Sequence, residues 1–92
     1  MKENYTDECE ILKAIAHPIR LKIIELLIIG FPIEECRVSS LQHKLDLPQS
    51  TVSQHLQILK NKGIIDGNKT GLEVCYKVID KRAVKILQIL KK

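Results

Sequence analysis

A chain of 92 residues, 45% apolar and 28% charged, fits one globular domain spanning 1–92 with a core of modest size. Its longest apolar stretch, 23–33, is broken by Glu25, Gly30 and Pro32, which excludes a membrane span, and the polar, acidic opening MKENYTDECE does not read as a secretory signal. The net charge of +4 is segregated: residues 1–36 carry four Lys/Arg against seven Asp/Glu, and residues 37–92 carry eleven against four. A basic second half suits a phosphate-bearing partner, and the expected location is the cytoplasm.

The first predicted helix runs from Thr6 or Asp7 to about Ala16, with Ile11, Leu12 and Ile15 on one face. Thr6 and Asp7 are residue types that cap a helix, and the acids of its first turn suit its dipole. Pro18 restarts the chain at a first-turn position, and a second helix follows to about Ile29. It is apolar nearly all round, as a core helix is. Gly30 is expected to end it, and Pro32 forbids continuation.

A third helix is predicted from Val38 to Leu45, with Ser39 or Ser40 in its cap region and Val38, Leu41 and Leu45 on one face. Asp46-Leu47-Pro48 makes a turn. A fourth helix then runs from Pro48 or Gln49 to about Lys62, with Gly63 at its C-terminal cap. Val52, Leu56 and Leu59 give this helix a dry back. Its front is Gln49, Ser50, Thr51, Ser53, Gln54, His55 and Gln57. A helix with a dry back and a hydrogen-bonding front is what reading base edges in the DNA major groove requires.

Beyond Gly63 the period changes from helical to alternating. Ile64 to Asp66 reads as a short strand, Gly67 to Gly71 as a turn, and Leu72 to Val78 as a second strand with Leu72, Val74, Tyr76 and Val78 on one face. Lys69 is expected at the hairpin tip. A last helix starts near Asp80 as cap and carries a stripe of Ala83, Ile86, Leu87 and Leu90. The expected fold is therefore mainly α with a small β-hairpin (α+β): a winged helix-turn-helix of five helices. The apolar stripes of the first and last helices are expected to form a dimer interface.

The side chains suggest roles. Gln49, Gln54 and Gln57 can each offer a donor and an acceptor, the pattern that complements adenine. Ser50, Thr51 and Ser53 are short enough to reach base or phosphate. Lys60, Lys62 and Lys69 are candidates for phosphate. Arg20 has two readings, a phosphate contact or a helix-surface ion pair. His55 likewise is either a DNA contact or a packed, hydrogen-bonded histidine. His17 reads as a helix-boundary residue and His43 as solvent-facing.

These segments carry a resemblance. Ile11 to Ile24, ILKAIAHPIRLKII, resembles the opening of the ArsR/SmtB family of bacterial repressors. Leu47 to Leu56, LPQSTVSQHL, is similar to that family's recognition-helix signature, and Val74 to Val78, VCYKV, to its wing strand. The resemblance covers nearly the whole chain. It implies a homodimer on a palindromic double-stranded DNA operator, released by an inducer. It assigns DNA reading to Gln49, Ser50, Thr51, Ser53 and Gln54, and His55 matches a recurrent family histidine.

What such a protein would sense is less legible. Cys9, Cys36 and Cys75 are odd in number and widely spaced, so they form neither a disulfide framework nor a zinc knuckle. Metal-binding members of the family use a Cys-x-Cys pair on the third helix, or Asp and His on the last. Here Cys36-Arg37-Val38-Ser39 holds one thiol, and the last helix holds Asp80 and no His. No metal site and no cofactor are expected. Cys9 and Cys36 are left as candidate sensing thiols, by disulfide or persulfide. The plainer reading makes them small apolar fillers. Cys75 is expected on the outer face of its strand, without a role. An enzyme is not expected, because the chain has no paired carboxylates, glycine-rich phosphate loop or Ser-His-Asp arrangement. Two alternatives stay open: a constitutive DNA-binding repressor with no effector, and a winged helix that binds protein instead.

Overall fold

The computed structural model describes residues 4–29 and 36–91. Its elements are α1 (Thr6–Ile15), α2 (Pro18–Ile29), α3 (Val38–Leu45), α4 (Gln49–Asn61), β1 (Ile65–Thr70), β2 (Glu73–Val78) and α5 (Lys81–Leu90). This is the winged helix-turn-helix that the apolar periodicity predicts. The expected stops at Gly30 and Pro32 lie outside the described residues.

α2 is the central helix. Ile23, Ile24, Leu26 and Leu27 are buried, and the helix touches α1, α3, α4, α5 and β2. Leu41 of α3, Val52, Leu56 and Leu59 of α4, and Ile64 and Ile65 complete the driest part of the core. Burying a side chain of this size stabilises by about 1.5–3 kcal/mol relative to leaving it exposed.

The helix ends follow local chemistry. α1 begins at Thr6, whose N–H donates to Oδ1 of Asn4 at 2.9 Å, so Asn4 supplies the acceptor expected of Thr6 or Asp7. α3 is preceded by Arg37 in extended backbone with no side-chain cap, and Ser39 and Ser40 lie inside the helix rather than before it. α3 stops at Asp46 in the left-handed region (φ 54°), where Leu47 N–H returns to the Gln42 carbonyl. Aspartate tolerates that region better than most residues. Gly63 (φ 72°) ends α4 in the same way: its N–H donates to the Lys60 carbonyl and that of Ile64 to the Leu59 carbonyl, both at 3.0 Å. Leu59 and Ile64, the residues bracketing this cap, are both fully buried. Asp80 caps α5 as expected, its carboxylate accepting from Arg82 N–H at 2.8 Å.

The hairpin corrects the sequence reading. Strand β1 does not stop at Asp66 but continues through the glycine- and asparagine-containing stretch to Thr70, pairing antiparallel with β2 from Ile65↔Val78 to Thr70↔Glu73. The turn is the two residues Gly71-Leu72, with Gly71 at φ 65°. A two-residue hairpin loop with glycine first matches the right-handed twist of its strands, and it lets the ladder satisfy backbone groups that a longer loop would leave to water. Lys69 therefore stands on β1 opposite Val74, not at the tip. Leu72, expected on the apolar face, is 101% exposed in the turn. Gly67 is needed where it sits: a Cβ there would fall 2.8 Å from Val74 Cγ1 and 3.0 Å from Tyr76 Cε1.

Candidate nucleic-acid interface

The two sides of α4 separate as the residues predict. Val52, Leu56 and Leu59 are buried, while Gln49, Ser50, Ser53, Gln54, Gln57 and Lys60 are exposed. Thr51 and His55 are half-buried at the edge of this surface, and Lys69 is exposed on β1 of the wing. The helix starts at Pro48, whose carbonyl accepts from the N–H groups of Thr51 (3.1 Å) and Val52 (3.2 Å), and no side chain caps it. The positive end of the helix dipole therefore lies beside Gln49 and Ser50.

Gln57 Nε2 donates to Asn61 Oδ1 at 2.8 Å. This amide pair carries the polar front one turn further than the sequence reading took it. The spacing of four between Gln57 and Asn61 was the available signal.

His55 is bonded into the fold. Arg20 Nε donates to its Nδ1 at 3.1 Å, and Arg20 Nη1 donates to the Ala14 carbonyl at 3.2 Å. The His55 ring lies against that of His17, centroids 4.7 Å apart and tilted by 52°. His17 Nδ1 in turn accepts from Ile19 N–H at 3.1 Å. Partial burial, followed by the electrostatic influence of His17 and Arg20, holds the His55 imidazole below the usual histidine range. A neutral imidazole that accepts at Nδ1 carries its proton on Nε2. The ring is thus packed and hydrogen-bonded at the edge of the exposed α4 surface. Arg20 does not form the helix-surface ion pair: its partners are an imidazole and a carbonyl, not a carboxylate.

Lys62 is already paired in the free protein: its Nζ lies 2.7 Å from Glu10 Oε2, an exposed ion pair that ties the end of α4 to α1. The same ammonium, with a smaller influence from Lys13, holds the Glu10 carboxyl below its ordinary range.

The cysteines are corrected too. Cys36 is joined to Cys75 by a disulfide, with Cα atoms 4.9 Å apart, and Cys9 is exposed on α1. The reason is tertiary: Arg37 and Cys75 form an antiparallel bridge, which lays β2 alongside the chain entering α3. Cys75, expected to face outward with no role, is half-buried there. Cys9 and Cys36 are not each other's partners within one protomer.

The model of the family described as "Bacterial regulatory protein, arsR family" matches residues 17–66, from His17 through the whole of α4 into β1. The chain belongs to the ArsR family. Transcriptional repressor PagR of Bacillus anthracis is 38% identical over 84 residues, covering 91% of this chain and 81% of PagR. The crystal structure of PagR superposes with a TM-score of 0.75 at 37% identity, over 91% of this chain and 92% of that one. HlyU from Vibrio cholerae N16961 superposes with a TM-score of 0.82 at 28% identity, over 98% of this chain and 94% of its own. ArsR-family proteins are regulators, not enzymes, and the winged helix-turn-helix is their shared fold.

Proposed function

We propose that this ArsR-family chain is a sequence-specific repressor. It binds a palindromic operator as a homodimer in the cytoplasm and leaves it when an effector acts. The observation that carries this reading is the polar front of α4. Gln49, Ser50, Ser53, Gln54 and Gln57 are exposed together on a helix anchored from behind by Val52, Leu56 and Leu59. In this reading Gln49, Gln54 and Gln57 meet base edges, and Ser50, Thr51 and Ser53 meet bases or phosphate. Lys60 and Lys69 neutralise phosphate and add affinity without sequence preference. His55 holds α4 in place through Arg20.

An apolar groove supports the dimer. It lies between α1 and α5, has a volume of about 390 Å³, and is lined by Ile11, Leu12, Ile86 and Ile89. Ile89 is 67% and Leu90 63% exposed. Glu8 stands on the α1 rim, with Arg82 and Lys85 on the α5 rim. Two copies related by a two-fold axis would meet with opposite charges at the edge and apolar residues between.

A gel-shift titration on DNA upstream of the protein's own gene tests the reading. Gln54→Ala and Ser53→Ala are each expected to weaken binding by about tenfold or more, with unchanged circular dichroism and size. The logarithm of affinity should fall linearly with the logarithm of salt, with a slope of several phosphates per dimer. Variants that bind as well as the parent chain, or binding that ignores salt, would reject this face of α4.

A further inference from the structure

We propose that the Cys36–Cys75 disulfide is a redox clamp on the wing, so that its reduction frees β2 from the entrance of α3 and weakens DNA binding. The bond joins residues 39 apart in sequence. Between them lie α3, α4, β1 and the hairpin turn, so every candidate DNA contact from Gln49 to Lys69 is enclosed by it. Apart from the main chain running from α4 into β1, it is the one covalent cross-link between the wing and the helix-turn-helix among the described residues.

The non-covalent ties at the same junction include the Arg37↔Cys75 bridge and an ion pair between Arg37 Nε and Glu73 Oε2 at 2.7 Å. Both partners of that pair are 40–50% exposed, which leaves it open to water and salt. β1, α2 and α5 hold β2 on the core, and the disulfide is the covalent tie between its Cys75 end and the entrance of α3. The two residues of the disulfide differ in exposure: Cys36 is buried and Cys75 is half-buried. A small thiol can approach from the Cys75 side.

The inference rests on the DNA-reading assignment above for its effect on affinity, though not for its effect on the wing. A protein that reads DNA works in the compartment that holds DNA, where thiols are kept largely reduced. Disulfides there are usually transient and redox-sensing. The step needs a dithiol reductant. One of its thiolates attacks a sulfur of the Cys36–Cys75 bond and forms a mixed disulfide, and the other protein sulfur leaves as a thiolate that takes up a proton. The second thiol of the reductant then closes its own disulfide and releases the remaining cysteine. Two electrons and two protons pass to the protein, and the dithiol is oxidised.

Two readouts on the full chain test this, before and after dithiothreitol. One is amide hydrogen exchange over residues 65–78. The other is fluorescence anisotropy with a duplex from upstream of the protein's own gene. Reduction is expected to speed exchange in the wing and to weaken DNA binding by about fivefold or more. Cys36→Ser/Cys75→Ser should match the reduced parent in both conditions, and Cys9→Ser should respond as the parent does. Unchanged exchange on reduction overturns the clamp, and so does tighter binding by the reduced form. Faster wing exchange with no DNA binding in either state overturns the DNA-reading assignment and the affinity half of this proposal, while the clamp itself stands. The reduced parent chain serves as the control if the double variant fails to fold.

Discussion

Arg20 reaches from the first turn of α2 to the middle of α4, where its Nε donates to Nδ1 of His55 at 3.1 Å. The same guanidinium holds the Ala14 carbonyl at the end of α1. Three helices thus meet on one side chain, and the contact lies in the same turn of α4 as the exposed Gln54 and Ser53. His55→Leu removes the acceptor and leaves Arg20 Nε unpaired in a half-buried place. The expected loss is about 1 kcal/mol of stability, together with weaker operator binding. His55→Asn restores an acceptor near the position of Nδ1 and should recover most of both. Urea denaturation and a gel shift on the two variants check this. Equal losses in Leu and Asn variants would mean that the ring's packing matters and its hydrogen bond does not.

The same bond gives a pH dependence. It exists only while Nδ1 is unprotonated, and folding lowers the His55 pKa from its ordinary value of 6.5. As pH falls, the unfolded chain takes the proton first. The stability contributed by neutral His55 is therefore whole above about 6.5 and shrinks as pH drops through that value. It is gone below the lower folded pKa. The urea midpoint should be flat from pH 8 to 7 and fall below 6.5, and His55→Asn should remove that part of the fall. His17→Gln, which replaces the ring facing His55 across 4.7 Å, is the control.

Two glycines separate backbone effects from packing. A Cβ at Gly63 would meet nothing within 4 Å, but its φ of 72° disfavours any other residue. Gly63→Ala is expected to cost about 1 kcal/mol, read from thermal unfolding, and to leave DNA affinity unchanged in the folded protein. Gly67 is the opposite case. Its added Cβ would collide with Val74 and Tyr76 in the wing. Gly67→Val should weaken DNA binding with little change in helix content by circular dichroism.

The α1/α5 groove predicts assembly. Ile89→Glu places a carboxylate in the apolar centre of the proposed interface, where burial of an unpaired charge is unfavourable. The variant is expected to sediment as a monomer, with unaltered circular dichroism and operator affinity reduced by about tenfold or more. A dimer that survives Ile89→Glu would move the interface elsewhere.

Much of this protein was legible because its signals are local. Helices α3 and α4 declare themselves by apolar residues three and four apart, α2 by an apolar run that opens on Pro18, and Gly63 and Asp80 mark ends by chemistry that acts within one turn. The polar front of α4 follows from the same period, since burying Val52, Leu56 and Leu59 turns Ser53, Gln54 and Gln57 outward. The hairpin boundaries are not legible locally, because Gly67 and Asn68 favour turns on their own. Pairing with β2 overrides that preference, and the ladder exists only once both strands are placed.

The sequence by itself determined the helical period, the dry back and polar front of α4, the alternating wing and the family motif, all from contacts within a few residues. The tertiary structure decided which distant groups meet. It joined Cys36 to Cys75 instead of Cys9, gave Arg20 an imidazole partner, and took Lys62 to Glu10 across a separation of 52 residues. Such pairings depend on how α1, α2, α4 and the wing pack, and helical period and strand alternation carry no information about distances between elements.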